Sequence, residues 1–144
     1  MRIISPHKNI FFQLIRSPIN YTGLLKGHIT ALNSLTLLRV EFISQIGGFS
    51  YKFPLDMLDY WIYYQIYKKN KLVYLLDLKF QHHLSVNNFE KNMTVERYQQ
   101  IIFSEKQFIK DFGILEQFAY KCKLFFRTLK QFLFLRDKRY SKIT

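Results

Sequence analysis

Short apolar runs separated by turn residues mark the first half of the chain. Prolines and glycines interrupt residues 1–27 at intervals that leave no room for a full helix, so this stretch is predicted to be irregular. Residues 28–38 include the β-branched Ile29, Thr30 and Thr36 among several short side chains, which favours a short strand or a buried loop. Residues 39–46 fit two helical turns, and Gly47-Gly48 then suits a left-handed helix end. The apolar side of this helix is predicted to carry Val40, Ile43 and Ile46.

A longer helix is predicted over residues 57–69. Asp56 lies where an N-cap is expected, and Asp59 follows in the first turn, near the positive end of the helix dipole. Asn70 follows the last turn and suits a C-terminal cap. The apolar run 72–76 is short and is bounded by polar residues, so it is predicted to be a buried strand.

Helical periodicity dominates the last third of the chain. Thr94 is the predicted N-cap of a helix of about 18 residues that ends at Gly113. A second helix is predicted from Ile114 to about Arg136. Its apolar positions recur at intervals of four, three, four and three residues, namely at Phe118, Cys122, Phe125, Leu129 and Phe132. Lysines and Arg127 occupy much of the other side, so the helix is amphipathic.

Composition and charge then limit the class of protein. The chain has 144 residues, enough for one domain, and its 49% of hydrophobic residues excludes wholesale disorder. Cys122 is the one cysteine, which excludes a disulfide framework and a cysteine-based zinc site. No apolar run approaches the ~18 residues of a spanning helix. We therefore expect a cytoplasmic protein, peripheral at the inner face of the cell membrane.

The positive charge of the chain predicts anionic partners. The net charge is +12, and residues 91–144 contribute 12 Lys and Arg against 5 Asp and Glu. This segment is predicted to be a basic, amphipathic helical tail that follows a domain formed by residues 1–90. Its last helix could pack its phenylalanine stripe on the domain or lie on an anionic membrane surface. RNA binding is disfavoured, because a helical stripe is not an exposed stacking platform, and no specific nucleic acid is expected.

An acidic stretch followed by histidines carries the most suggestive chemistry. The chain contains none of the motifs GxGxxG, GxSxG, HExxH or Asp-x-Asp. Asp56 and Asp59 instead open a predicted helix, where the dipole favours ionised carboxylates that can accept a proton from a hydroxyl. His82 and His83 follow the predicted strand, and a histidine there can bind a metal or a phosphate.

These residues give the chain a resemblance to a known family. The sequences ALNSLTLLRVEFISQIGGF, FPLDMLDYWIYYQIYKKNKLVYLL and FQHHLSV follow one another in order. They resemble the C-terminal half of a family 2 glycosyltransferase of the GT-A fold, and most of all the bacterial rhamnosyltransferase-like members that build surface polysaccharides. The match covers about 85 residues, from His28 to Gly113. It implies an α/β fold in which a few strands are covered by helices, with C-terminal helices added.

The resemblance also implies roles for individual residues. Asp59 falls on the catalytic-base position and Asp56 on the preceding acidic position, which would contact the acceptor. His82 falls on the histidine that helps to hold a metal–diphosphate group, so a divalent metal, Mn or Mg, is expected. Asn33, Ser34 and Trp61 are further candidates for acceptor binding. The substrates implied are a nucleotide sugar and a glycan or lipid-linked acceptor.

The sequence departs from the family pattern in three ways. Leu58 replaces the usual Glu of the acidic motif, and Leu35 replaces a common Gly. The N-terminal half of the family, with its nucleotide-binding strands and its Asp-x-Asp metal site, has no counterpart in the sequence. We therefore expect an incomplete donor site and weak or no transfer by this chain alone. The alternative is a non-catalytic, basic membrane-surface or scaffold module that associates with intact transferases.

Each candidate residue also has a purely structural explanation. Asp56 could cap the helix, and Asp59 could be a dipole partner in its first turn. Trp61 could be a core residue. His82 could be a structural histidine. The sequence alone leaves these alternatives open.

Overall fold

The structure is a computed structural model that describes residues 6–10, 15–34, 36–78, 93–135 and 137–143. The chain forms two compact units, Met1–Asp77 and Leu78–Thr144. Small antiparallel sheets and α-helices occur together, which confirms the prediction of a fold that mixes both types of element. Within the described residues, no helix has the length and apolar character needed to cross a bilayer. His82 and His83 lie outside the described residues.

Two small antiparallel sheets form part of the first unit. Strands β1 (His7–Ile10), β2 (Ile15–Pro18) and β4 (Ile29–Thr30) make one sheet in the order β2-β1-β4. Strands β3 (Gly23–Leu25) and β5 (Val73–Leu75) make the other.

The prediction that residues 1–27 are irregular is therefore wrong. Strands of three or four residues fit between the prolines and glycines that exclude a helix. Pro18 ends β2 at the edge of its sheet, opposite His7, where an absent N–H is tolerated. The expectation of a short strand or buried loop after residue 27 is met by β4, whose two residues are both buried.

Strand β5 is not the buried strand that its apolar sequence predicts. Leu25 of β3 is buried, and Val73 and Leu75 pack against the core on the same side. Leu24 pairs with Tyr74, and both side chains are exposed on the other side. The short ladder therefore has one covered face and one open face, because strand residues alternate between faces.

Helices α1 (Val40–Gln45) and α2 (Leu58–Lys68) complete the first unit. The core consists of Ile19, Leu25, Ile29, Phe42, Ile62, Tyr63 and Ile66. The apolar side predicted for α1 is partly wrong, because Val40 is 75% exposed and Phe42 is buried instead. Residues 42, 43 and 46 lie within about 100° of the helix circumference, whereas residue 40 lies about 160° from residue 42.

Left-handed residues end both helices, as the sequence predicts. Gly47 has φ 78°, and the Gly48 N–H donates to the Ile43 carbonyl at 2.9 Å. Asn70 has φ 50°, and the Lys71 N–H donates to the Ile66 carbonyl at 2.9 Å. Both are Schellman motifs, which satisfy carbonyl groups that the helix leaves without partners.

The second unit is helical in its described part. Helix α3 (Val95–Ile109) begins where predicted, because the Thr94 side chain accepts the Arg97 N–H at 3.1 Å. Helix α4 spans Ile114–Phe134, and the short helix α5 spans Arg139–Ile143. The expectation that Gly113 ends α3 is wrong. Gly113 is the N-cap of α4, with φ −68° and ψ 170°, and α3 ends four residues earlier.

Helix α4 buries part of the side opposite its apolar stripe. Its buried residues are Ala119, Leu124 and Gln131, whereas Phe118 and Phe125 are 66% and 65% exposed. The Arg127 guanidinium donates to the Glu105 carboxylate of α3 at 2.8 Å, which makes burial of a partly polar face favourable. The apolar stripe at intervals of four and three residues is therefore the open face of this helix.

Candidate active site

The turn at residues 33–36 lies against the first turn of α2. The Asn33 N–H donates to the Asp59 carboxylate. The turn itself is closed by the Thr36 N–H, which donates to the Asn33 carbonyl at 2.9 Å, and by the Thr36 hydroxyl, which donates to the Leu32 carbonyl at 3.1 Å. These bonds hold the Asn33 amide in place, so Asp59 receives a fixed donor from a segment 26 positions earlier in the chain.

Partial burial raises the pKa of Asp59 above its ordinary value. The Asn33 N–H opposes this effect by stabilising the carboxylate, but burial has the larger influence on this pKa. Asp59 lies on the same face of α2 as Ile62, Tyr63 and Ile66, which enter the core. The carboxylate is thus held at the border between core and solvent, where its affinity for a proton is increased.

Tyr63 and Thr36 adjoin this carboxylate. The Tyr63 hydroxyl and the Thr36 hydroxyl share a hydrogen bond of 3.1 Å. Burial raises the pKa of Tyr63, and the nearby negative charge of Asp59 adds to this increase. Neither residue was a candidate from the sequence. The spacing of four residues between Asp59 and Tyr63, one helical turn, is the signal that could have found the tyrosine.

The other predicted site residues have different positions. Ser34 is exposed in the same turn as Asn33. Asp56 is partly buried and precedes the N-cap of α2, which is Met57. Trp61 packs against the core and lies about 160° around α2 from Asp59, so the structure does not bring these two side chains together.

The helix boundary also differs from the predicted one at Asp56. Met57 adopts a left-handed conformation with φ 64°, and its side chain makes no capping hydrogen bond. This conformation costs a residue with a Cβ about 1–2 kcal/mol. The strained residue separates Asp56 from Asp59 and sets where α2 begins. Backbone strain of this kind is found preferentially at functional sites.

The described residues do not form a metal site. No group of three His, Cys, Asp or Glu side chains in this part of the chain could hold an ion. His82, which the resemblance assigns to the metal, lies outside the described residues. We therefore assign no metal ligand here.

Comparison with known proteins leaves the family open. No protein-family model, no curated protein and no solved structure matches the chain.

The substitution Asp59→Asn is expected to stabilise the protein at neutral pH. The pKa of Asp59 is higher in the folded state than in the unfolded state. The contribution of protonated Asp59 to the free energy of unfolding is therefore fully present below the ordinary pKa of Asp, about 3.9. This contribution is lost as the pH rises through the pKa of the folded state. Asparagine cannot ionise, and its carbonyl oxygen can still accept the Asn33 N–H. The unfolding temperature of the variant should exceed that of the wild type at pH 7, and this difference should disappear near pH 3.

This measurement also tests the structural explanation of Asp59. If the residue were kept to stabilise the fold, the substitution would lower the unfolding temperature at pH 7. The exposed carboxylate of Asp77 provides a matched control. Asp77→Asn should leave the unfolding temperature unchanged at both pH values.

Proposed function

We propose that the first unit is the acceptor-side part of a family 2 glycosyltransferase of the GT-A fold. In this proposal the enzyme transfers a sugar from a nucleotide-sugar donor to a glycan or lipid-linked acceptor during synthesis of a surface polysaccharide. The observation that carries the proposal is the contact between Asn33 and Asp59. The resemblance assigns Asp59 to the base, and Asn33 is a separate candidate for contact with the acceptor; Asn33 lies in a turn closed by hydrogen bonds.

Asp59 acts as the general base in the proposed reaction. An acceptor hydroxyl approaches the partly exposed carboxylate and transfers its proton as its oxygen bonds to the anomeric carbon. The bond between that carbon and the donor phosphate breaks, and the nucleoside diphosphate leaves with the bonding electrons. Attack from the opposite side inverts the anomeric configuration. The raised pKa of Asp59 increases its affinity for the proton it receives.

The neighbouring groups orient this base. The Asn33 N–H binds the carboxylate, and the turn that carries it is held by Thr36. Tyr63 lies one helical turn after Asp59 and joins the turn through its hydrogen bond with Thr36. We propose that Ser34 and Asn33, both exposed in this turn, contact the incoming acceptor.

The size of the native polypeptide decides whether the transfer reaction is tested in this chain or in a longer polypeptide that contains it. An antibody against residues 128–144 would detect the polypeptide in an extract of the source organism. A band near twice the 17.5 kDa of this chain would indicate a full transferase. A band near 17.5 kDa would favour the alternative, a non-catalytic module that associates with intact transferases.

Replacement of Asp59 by asparagine in the native polypeptide should reduce sugar transfer about 100-fold or more. The acceptor hydroxyl would lose its proton acceptor while the shape of the side chain is retained. Transfer would be measured with radiolabelled nucleotide sugars and membranes of the source organism as the acceptor. Asp77→Asn is the control and should transfer at the normal rate.

One result would contradict this proposal, and a second would correct the expectation of an incomplete donor site. Unchanged transfer by the Asp59→Asn variant would remove Asp59 as the base. Transfer by the purified 144-residue chain alone, abolished by Asp59→Asn, would show that the expected deficiency of the donor site is wrong.

A further inference from the structure

Helix α4 carries eight exposed apolar side chains on one face. The helix has 21 residues and is therefore about 32 Å long. The exposed side chains lie within about 120° of its circumference. They are Ile114, Leu115, Phe118, Phe125, Phe126, Leu129, Phe132 and Leu133, each at least 44% exposed. We call this surface the phenylalanine face.

The opposite side of α4 is fixed by polar contacts that prevent the helix from turning. The Glu105 carboxylate accepts a hydrogen bond of 2.8 Å from the Arg127 guanidinium and one of 2.9 Å from the Tyr120 hydroxyl. The Gln131 amide donates to the Tyr98 hydroxyl at 2.7 Å, in a buried position. Rotation that buried the phenylalanine face would break all these bonds. The face is therefore a stable feature of the folded unit.

The phenylalanine face is large for a surface without a partner. Taking about 200 Å² for each ring, its four phenylalanines alone expose on the order of 500 Å². The largest apolar patch of a typical monomer is about 300–600 Å², and four aliphatic side chains add to this area. A patch of this size indicates an interaction surface.

The surrounding charge favours an anionic lipid surface as the partner. Exposed Lys121 and Lys130 border the phenylalanine face on its two sides. Residues 114–144 contain eight Lys and Arg against two acidic residues. Lysine is depleted in protein interfaces, whereas lysines beside a face of Phe and Leu are typical of helices that lie at the membrane surface.

We propose that α4 docks on an anionic lipid bilayer, with its axis parallel to the surface and its phenylalanine face at the boundary between headgroups and acyl chains. Lys121 and Lys130 then reach the anionic headgroups on either side of the helix. Because contacts with α3 already hold α4 in its helical form, docking requires no folding. This inference depends on the second unit alone and is independent of the role of Asp59.

The test is co-sedimentation of the full chain with phosphatidylcholine vesicles that contain or lack phosphatidylglycerol. We expect binding only when phosphatidylglycerol is present, and weaker binding at high salt. The triple variant Phe118→Ser, Phe125→Ser, Phe132→Ser should bind the vesicles more weakly than the wild type, by a factor of about ten or greater. Far-ultraviolet circular dichroism should give the same helix content with and without vesicles, since α4 is already formed.

A matched control uses two phenylalanines outside the face. Phe103 of α3 and Phe134, which lies about 80° beyond the edge of the face, are 63% and 76% exposed. The variant Phe103→Ser, Phe134→Ser should bind vesicles as the wild type does. Equal loss of binding in this variant would overturn the proposal, as would absence of vesicle binding or a rise in helicity with lipid. A lipid-free dimer that the triple variant dissociates would also overturn it and would assign the face to a second copy.

Discussion

Replacement of Glu105 by alanine is expected to destabilise the second unit by about 3 kcal/mol. The Glu105 carboxylate accepts bonds from both terminal nitrogens of Arg127, at 2.8 and 3.2 Å, and from the Tyr120 hydroxyl. The side chains of Glu105 and Arg127 are only 16% and 24% exposed. Without the carboxylate, a largely buried guanidinium would have lost its counter-charge. Denaturant unfolding followed by circular dichroism measures the loss, because α3 and α4 contain most of the helix.

A double replacement separates the cost of the broken pair from the value of the intact pair. Glu105→Leu with Arg127→Met removes both charges and keeps similar side-chain volume. Its stability should lie within about 1 kcal/mol of the wild type, because apolar residues often replace a buried ion pair at little cost. Glu105→Gln should give an intermediate loss, since the amide oxygen can still accept from Tyr120. A double variant as unstable as Glu105→Ala would show that the contact stabilises the unit through its charges.

Replacement of Ile62 by alanine should cost the first unit about 3–4 kcal/mol. Ile62 is 1% exposed and lies in the core among Leu25, Phe42 and Ile66. The substitution removes three carbon atoms from a packed site and leaves a cavity. Trp61 is the only tryptophan of the chain and packs against this core, so its fluorescence reports the unfolding of the first unit.

Two further substitutions calibrate this effect. Ile62→Val removes one carbon atom and should cost about 1 kcal/mol. Leu37→Ala removes an apolar side chain that is 91% exposed and should change stability by no more than about 0.5 kcal/mol. A loss in Ile62→Ala as small as that in Leu37→Ala would contradict the core described here. Because Ile62 shares a face of α2 with Asp59, the substitution should also loosen the candidate site.

Three local capping signals were interpreted correctly from the sequence, whereas those at Asp56 and Gly113 were not. Thr94 begins α3, and Gly47 and Asn70 end their helices in the left-handed conformation. Each depends on the chemistry of one residue and its neighbours. Strand pairing does not, since β3 pairs with β5 from a distant part of the chain. The strands before residue 27 were therefore missed, and the open face of β5 could not be foreseen.

The orientation of α4 shows a second limit of pattern analysis. Apolar periodicity correctly predicts the helix and its phenylalanine stripe, but the stripe alone does not say what it contacts. The packed face contains Arg127, which pairs with Glu105 of another helix. A salt bridge between helices has no periodic signature. The burial of a helix face that contains Gln131 and Arg127 could therefore not be predicted from the sequence.

The candidate site was predicted in part. Asp59 and Asn33 were both proposed from the sequence, and the structure places them in contact. Thr36 and Tyr63 were missed, because their hydrogen bond joins a turn to a helix across 27 positions. Trp61, which was proposed for the acceptor, is partly buried against the core and lies on another side of α2 from Asp59. The separation of about 160° between Trp61 and Asp59 follows from the helical period, whereas the side of α2 that faces the core becomes known only when its partners are known.

The pairing of β3 with β5 has a consequence for synthesis of the protein on the ribosome. Leu24 pairs with Tyr74, fifty positions later in the chain. At roughly 5–20 residues per second, translation of the intervening segment takes several seconds. Throughout this time β3 has no partner strand, and Leu25, which is 2% exposed after folding, lacks the strand that pairs beside it. The nascent chain therefore offers an apolar strand edge to chaperones that act during translation, before the first unit can close.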